Sequence, residues 1–146
     1  MKRIVVDASV VLKWFLAGED NSQSALVLLD KYVSFDLEIV VPSLLEYEVL
    51  NGLQIARKRG RIGRAKTNMA VEGFLGLEIE KKDITSFYPR IMFFSETYNL
   101  SVYDASFLAV AEEEGIELVT ADRNLFNKVE KDLKWAKWLG EKTATF

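Results

Sequence analysis

Four acidic residues stand where folding could bring them to one place. Asp7 closes the apolar run Ile4-Val5-Val6, and Asp122 follows Leu118-Val119-Thr120-Ala121. Asp104 comes three residues after Ser101 at the start of a helical pattern, and Glu48 lies in the first half of another. Carboxylates are hard oxygen donors, so a cluster of them can hold a divalent cation or divide acid and base roles. The other usual groups are missing: the 146 residues include no His and no Cys. That excludes a Ser-His-Asp triad, an imidazole base, a thiolate nucleophile, a zinc-thiolate site and an HExxH zinc site. Each acid also has a plainer role open to it. Asp7 and Asp122 can serve as helix caps, Asp104 as the third-position partner of a capping box begun by Ser101, and Glu48 as a solvated helix residue.

Whether the acids meet depends on the elements that carry them. The β-branched run before Asp7 predicts a strand, and apolar spacing from Ser9 to Leu16 predicts a helix. A second helix is expected over Asn21 to Ser34, a strand over Leu37 to Val41, and a helix from Ser43 to Lys58 with Pro42 at its start. Arg64 to Leu77 should complete an αα-hairpin. Leu77 to Glu80 alternates like a short strand, and Phe87 to Tyr98 and Ala105 to Glu114 read as helices, the latter ended by Gly115. Ile116 to Thr120 reads as a strand, Leu125, Phe126 and Val129 mark a short helix, and Lys134 to Leu139 suits a last strand at a sheet edge. This alternation predicts one α/β domain over 1–146, with a mainly parallel sheet between helices. In such a sheet the strand carboxyl ends share an edge with the helix N-termini that follow, and the four carboxylates could converge there.

With 49% hydrophobic residues the chain can build a sizeable core. No apolar run approaches membrane-spanning length and no signal-peptide core opens the chain, so a soluble, cytoplasmic protein is expected. The net charge of −3 gives no overall attraction to nucleic acid. A local patch is different. Between Glu48 and Glu72 there is no acid, while Arg57, Lys58, Arg59, Arg61, Arg64 and Lys66 crowd the turn of the αα-hairpin. These six cations can bind nucleic-acid backbone phosphates without reading bases, or can simply form a cationic helix end and a solvated loop. Tyr47, Phe74, Tyr88, Phe93 and Phe94 lie mostly at helical spacing, which suits a core or an interface rather than base stacking.

Four segments together resemble the ordered motifs of the PIN-domain ribonucleases, in particular the VapC-like toxins of toxin–antitoxin pairs. They are Val5-Val6-Asp7-Ala8-Ser9, Pro42 through Glu48 to Leu53, Tyr103-Asp104-Ala105-Ser106-Phe107-Leu108-Ala109, and Leu118-Val119-Thr120-Ala121-Asp122-Arg123. The resemblance implies a three-layer α/β/α domain with a five-stranded parallel sheet, an acidic pocket holding Mg²⁺ or Mn²⁺, and cleavage of RNA. It assigns the metal-binding, catalytic carboxylates to Asp7, Glu48, Asp104 and Asp122, with Ser9 and Thr120 as pocket hydroxyls. It also implies a homodimer and a cognate antitoxin. Glu46 competes with Glu48. Glu48 shares a helical stripe with Leu44, Asn51, Gly52 and Ile55, and Glu46 shares one with Leu50, Leu53 and Arg57. Both stripes are mixed, but the family's spacing from Pro42 and to Asn51 favours Glu48.

The electrostatics give an independent reason for a cation. Two carboxylates about 5 Å apart repel by ~3 kcal/mol at an effective dielectric near 20, so some must be protonated or a cation must sit among them. Other classes remain open: an RNA-processing nuclease outside a toxin–antitoxin pair, an inactive RNA-binding module, and a Mg²⁺-dependent phosphatase. The last expects an Asp-x-Asp pair after the first strand, where this chain reads Asp7-Ala8-Ser9.

Overall fold

The computed structural model describes residues 1–142, so the end of the domain expected over 1–146 lies outside the described residues. Five strands form one sheet: β1 (Lys2–Val6), β2 (Leu37–Pro42), β3 (Glu80–Lys82), β4 (Glu117–Thr120) and β5 (Ala136–Trp138). Their order is β3-β2-β1-β4-β5 and every pairing is parallel. The inner strands are continuous apolar runs, as a parallel sheet covered on both faces requires, with Ile4, Val5, Val6, Val40, Leu118 and Val119 all fully buried. β1 is central, and the direction of winding reverses between β1 and β4. That reversal opens a crevice outside their carboxyl ends.

Helices cover both faces. α1 (Ala8–Phe15), α2 (Ser22–Val33) and α3 (Leu45–Lys58) pack together, with α4 (Arg64–Gly76) against α3. α6 (Val102–Glu114) lies on β1, β2 and β4, and α5 (Tyr88–Tyr98) packs on α6. Ala105 through Ala111 are all buried, because α6 is sandwiched between the sheet and α5 and has no broad solvent face. α7 (Arg123–Val129) follows β4, and α8 (Leu139–Lys142) follows β5. Among the described residues no helix is long and apolar enough to cross a membrane.

Several boundaries differ from the sequence expectations: α6 begins at Val102, three residues before the expected Ala105, because Ser101 is its N-cap, and β5 is shorter than Lys134 to Leu139. The strand expected over Leu77 to Glu80 is Glu80–Lys82, because Glu78 adopts φ +50° and cannot extend the chain. Leu77 and Ile79 alternate with polar residues because both pack inward, not because they form a strand. Pro42 ends β2 rather than beginning a helix. Its missing N–H costs nothing, since Ser43 N donates to Lys82 O at 3.2 Å. α3 accordingly starts at Leu45, two residues later than expected. The helix expected from Phe87 begins at Tyr88, after a 3₁₀ turn over Ile84–Phe87.

Gly115 caps α6 at φ +67°, and a Cβ there would meet nothing within 4 Å. Gly115→Ala should therefore cost ~1 kcal/mol through backbone conformation alone. A denaturant midpoint equal to that of the unchanged protein would refute this account of the cap.

Candidate active site

Val6 is in register with Val119, so Asp7 leaves β1 beside Thr120 at the end of β4. Asp7 is the N-cap of α1, and its carboxylate accepts from the Ser9 backbone N–H at 3.1 Å. The Ser9 and Thr120 hydroxyls also donate to this carboxylate, one to each oxygen. Ser9 Oγ in turn accepts from the Ala121 N–H at 2.9 Å, and Thr120 Oγ1 accepts from the Asp122 N–H at 3.0 Å. Two hydroxyls thus tie the turn after β1 to the turn after β4. Asp122 caps α7 by accepting from Leu125 N at 3.1 Å. Asp104 sits in the first turn of α6, where Ser101 Oγ accepts its backbone N–H at 3.0 Å. The capping roles are real, and Asp7 and Asp122 fill them while still facing the crevice.

Glu48 reaches the same crevice from α3. A Cβ on Gly52, one turn further along, would fall 2.6 Å from Leu12 Cδ1, so the glycine allows α1 to approach α3. Glu46 faces elsewhere, with its carboxylate 3.7 Å from Lys81 Nζ.

Burial and neighbouring negative charge raise three of the carboxyls, Asp7, Glu48 and Asp104. Burial pushes Asp7, 6% exposed, up to about 6 against the pull of its Ser9 and Thr120 hydrogen bonds, and the charges of Asp122 and Asp104 push the same way. Burial and the charges of Asp104 and Asp7 carry Glu48 up to about 7. Asp104 is raised by burial and by Asp122, with Lys128 pulling in the opposite direction. None of the four forms an ion pair among the described residues. No three acidic side chains among the described residues are already grouped to hold a metal ion. The donor set is all oxygen, which suits Mg²⁺ or Mn²⁺.

Of the six hairpin cations, Arg57 and Lys58 end α3, Arg59 and Arg61 lie in the turn, and Arg64 and Lys66 begin α4. Arg59 and Arg61 line a cleft that also contains Ser9. Lys13, not anticipated from the sequence, lines it too. Its signal was its place as the only charge on α1. A cavity of about 510 Å³ opens at the opposite end of the sheet, but its Arg3 is already bound by Glu38, Glu80 and Glu114.

A parallel sheet with coupled carboxylates at its winding reversal defines a doubly wound α/β protein with an acidic site at the switch point. The PIN domain profile matches residues 4–132. The VapC ribonuclease Mb0985 of Mycobacterium bovis is 33% identical over 122 residues, covering 84% of this chain and 87% of that one. Ribonuclease VapC3 of Pyrobaculum aerophilum is 28% identical over 134 residues, covering 86% and 94%. The crystal structure of PAE2754 from Pyrobaculum aerophilum superposes with a TM-score of 0.71 at 25% identity, covering 98% of this chain and 95% of that one. That of Mycobacterium tuberculosis VapC20, a sarcin–ricin loop cleaving toxin, has the same fold, with a TM-score of 0.60 at 16% identity over 86% and 95%. The chain belongs to the PIN domain family of ribonucleases.

The raised carboxyls fix a pH dependence. Folded Asp7 and Glu48 keep protons at pH values where the unfolded chain has released them, so stability is lost as pH rises from about 4 through about 7. For the fully buried Asp7, the rise from 3.8 to about 6 corresponds to ~3 kcal/mol over the whole window. Chelator-treated protein should be more stable to urea at pH 5 than at pH 8, and Glu48→Gln should narrow the difference. A profile that rises across this window would contradict the coupling.

Proposed function

We propose that this chain is a Mg²⁺- or Mn²⁺-dependent endoribonuclease and the toxin of a VapBC-type pair, held inactive by a small antitoxin in the cytoplasm. The observation that carries this reading is the Asp7 carboxylate, buried at the switch point and coupled to Asp104, Asp122 and Glu48 without a basic partner.

Asp7, Glu48, Asp104 and Asp122 are the residues to hold the ion. Bound there, it supplies Lewis-acid polarisation of a phosphodiester and a lower pKa for the attacking water, chemistry that needs no histidine. The chain's own residues do the rest. Ser9 and Thr120 hold both Asp7 oxygens in fixed directions, and the N-termini of α1 and α6 add positive potential beside the reacting phosphate. The hairpin cations gather the polyanion. Arg57 and Lys58 complement the C-terminal dipole of α3, but Arg64 and Lys66 sit in the first turn of α4, where cations are electrostatically unfavourable. Helix stability does not explain that second pair, and phosphate contact does.

Incubation with structured and unstructured RNAs should give cleavage with Mg²⁺ or Mn²⁺ and none with EDTA. Asp104→Asn should lose cleavage with the fold retained. Glu48→Gln should also abolish it, whereas Glu46→Gln should leave it nearly intact. Undiminished cleavage in EDTA would sink the metal mechanism, and reversed glutamate phenotypes would move the site to Glu46.

A homodimer belongs to the same reading. Tyr88, Met92 and Phe93 on α5 remain exposed although Ile91 and Phe94 are buried, leaving an apolar helix face for a second copy. Light scattering at micromolar concentration should report twice the chain mass, and a monomer would count against the dimer.

A further inference from the structure

Leu44, Glu48, Gly52, Ile55 and Arg59 follow one another on a single face of α3, and open clefts lie along that face at both ends. The first, of about 450 Å³, is lined by Leu44, Tyr47, Glu48, Asn51 and Tyr103. Tyr47, expected in a core or an interface, is 80% exposed, and Tyr103 is 64% exposed. Both tyrosines line the same cleft as Glu48, so their rings border one of the four acids. The second cleft, of about 240 Å³, begins at Ser9 and carries Lys13, Arg59, Arg61 and the single acid Glu19. The Lys13 side chain is only 11% exposed, with Nζ 3.3 Å from Glu19, which also accepts from Arg61 at 2.9 Å. Three cations against one acid leave an excess of two positive charges, so Glu19 positions the cations without neutralising them.

Exposed aromatic faces joined to a cationic groove are what an unpaired nucleic-acid strand requires, since bases stack on rings while cations follow the backbone. A duplex would hide its base faces and could not use the tyrosines. From Leu44 to Arg59 the chain rises ~22 Å along the helix axis, enough for several nucleotides, with Glu48 in the first cleft and Gly52 in the second. We propose that α3 is the bed of a single-stranded RNA path, with a base stacked between Tyr47 and Tyr103 at one end and backbone phosphates over Lys13, Arg59 and Arg61 at the other. The proposal rests on the ribonuclease reading and names the residues of this chain that position the RNA. The charge of the second cleft, with Ser9 linking it to Asp7 and Glu48 lining the first, favours RNA over a protein segment as the occupant.

The test is steady-state cleavage of a short RNA by the full chain with Mn²⁺, as a single strand and annealed to its complement. Tyr47→Ala and Tyr103→Ala should each raise KM on the order of tenfold with little change in kcat, and Tyr47→Phe should restore it. Arg59→Ala, and Lys13→Met which keeps the buried stem, should each flatten the dependence of log(kcat/KM) on log salt by about 0.7. The duplex should be cut poorly. Unchanged KM and salt slopes in all four variants, or a preference for duplex, would overturn the path while cleavage itself persists. Tyrosine variants that cleave normally yet escape inhibition by a co-expressed partner protein would assign the first cleft to that partner and overturn it too. Absence of cleavage of any RNA by the unchanged protein would overturn the ribonuclease reading as well.

Discussion

Everything at the active edge depends on keeping one carboxylate where water cannot reach it. Asp7 is buried at the centre of the sheet edge, and a lone carboxylate in that position is tolerated only if its oxygens are bonded. Ser9 and Thr120 supply the bonds, and each hydroxyl also accepts a backbone N–H from the turn after β4. The same four contacts therefore solvate an anion and fasten two strand ends together. Asp122 is positioned as a consequence, because its own N–H is one of those accepted. Capping and a place at the crevice are compatible for these two aspartates, since the contacts that form the caps also hold the carboxylates at the strand ends.

An acidic crevice poses a second problem, that of attracting a polyanion with a mildly acidic molecule. The chain separates the two signs in space. The carboxylates sit at the crevice, while the cations occupy the far end of α3, the hairpin turn and the start of α4. At a Debye length near 8 Å in physiological salt, charges at the two ends of α3 are screened from one another. A phosphate backbone can meet the cations without first meeting the acids.

Much of this was legible in the sequence where one residue type had one physical explanation. β-branched runs before Asp7 and Asp122 marked buried parallel strands, and Gly115 marked the end of α6 to the residue, while its start at Val102 lies three residues before the expected Ala105. β3 was misplaced because Glu80-Lys81-Lys82 is an edge strand with charged side chains, which guards against edge pairing and removes the apolar signal. Spacing on α3 gave two mixed stripes, and it took the third dimension to show Glu46 turned toward Lys81 and Glu48 toward Asp7 and Asp104. Tyr47 is exposed and so not in the core, one of the two places expected for it: helical periodicity says which residues share a face, not whether anything covers it. Lys13 could be seen as odd in an apolar helix, but Glu19 and Arg61, which hold it, come together only through the folding of the chain between them.

The pairing of β1 with β4 has a consequence in time. Asp7 and Thr120 are 113 residues apart, yet each needs the other. During synthesis at ~5–20 residues per second, on the order of ten seconds separate the emergence of the first from that of the second. Until then the Asp7 carboxylate has no Thr120 hydroxyl and no reason to be buried, and the crevice has no far wall. Parallel strands joined across so much chain also pair late. The molecule therefore passes through its own translation without its active site. Whatever RNA the finished site cuts, the half-made chain has no finished site with which to cut it.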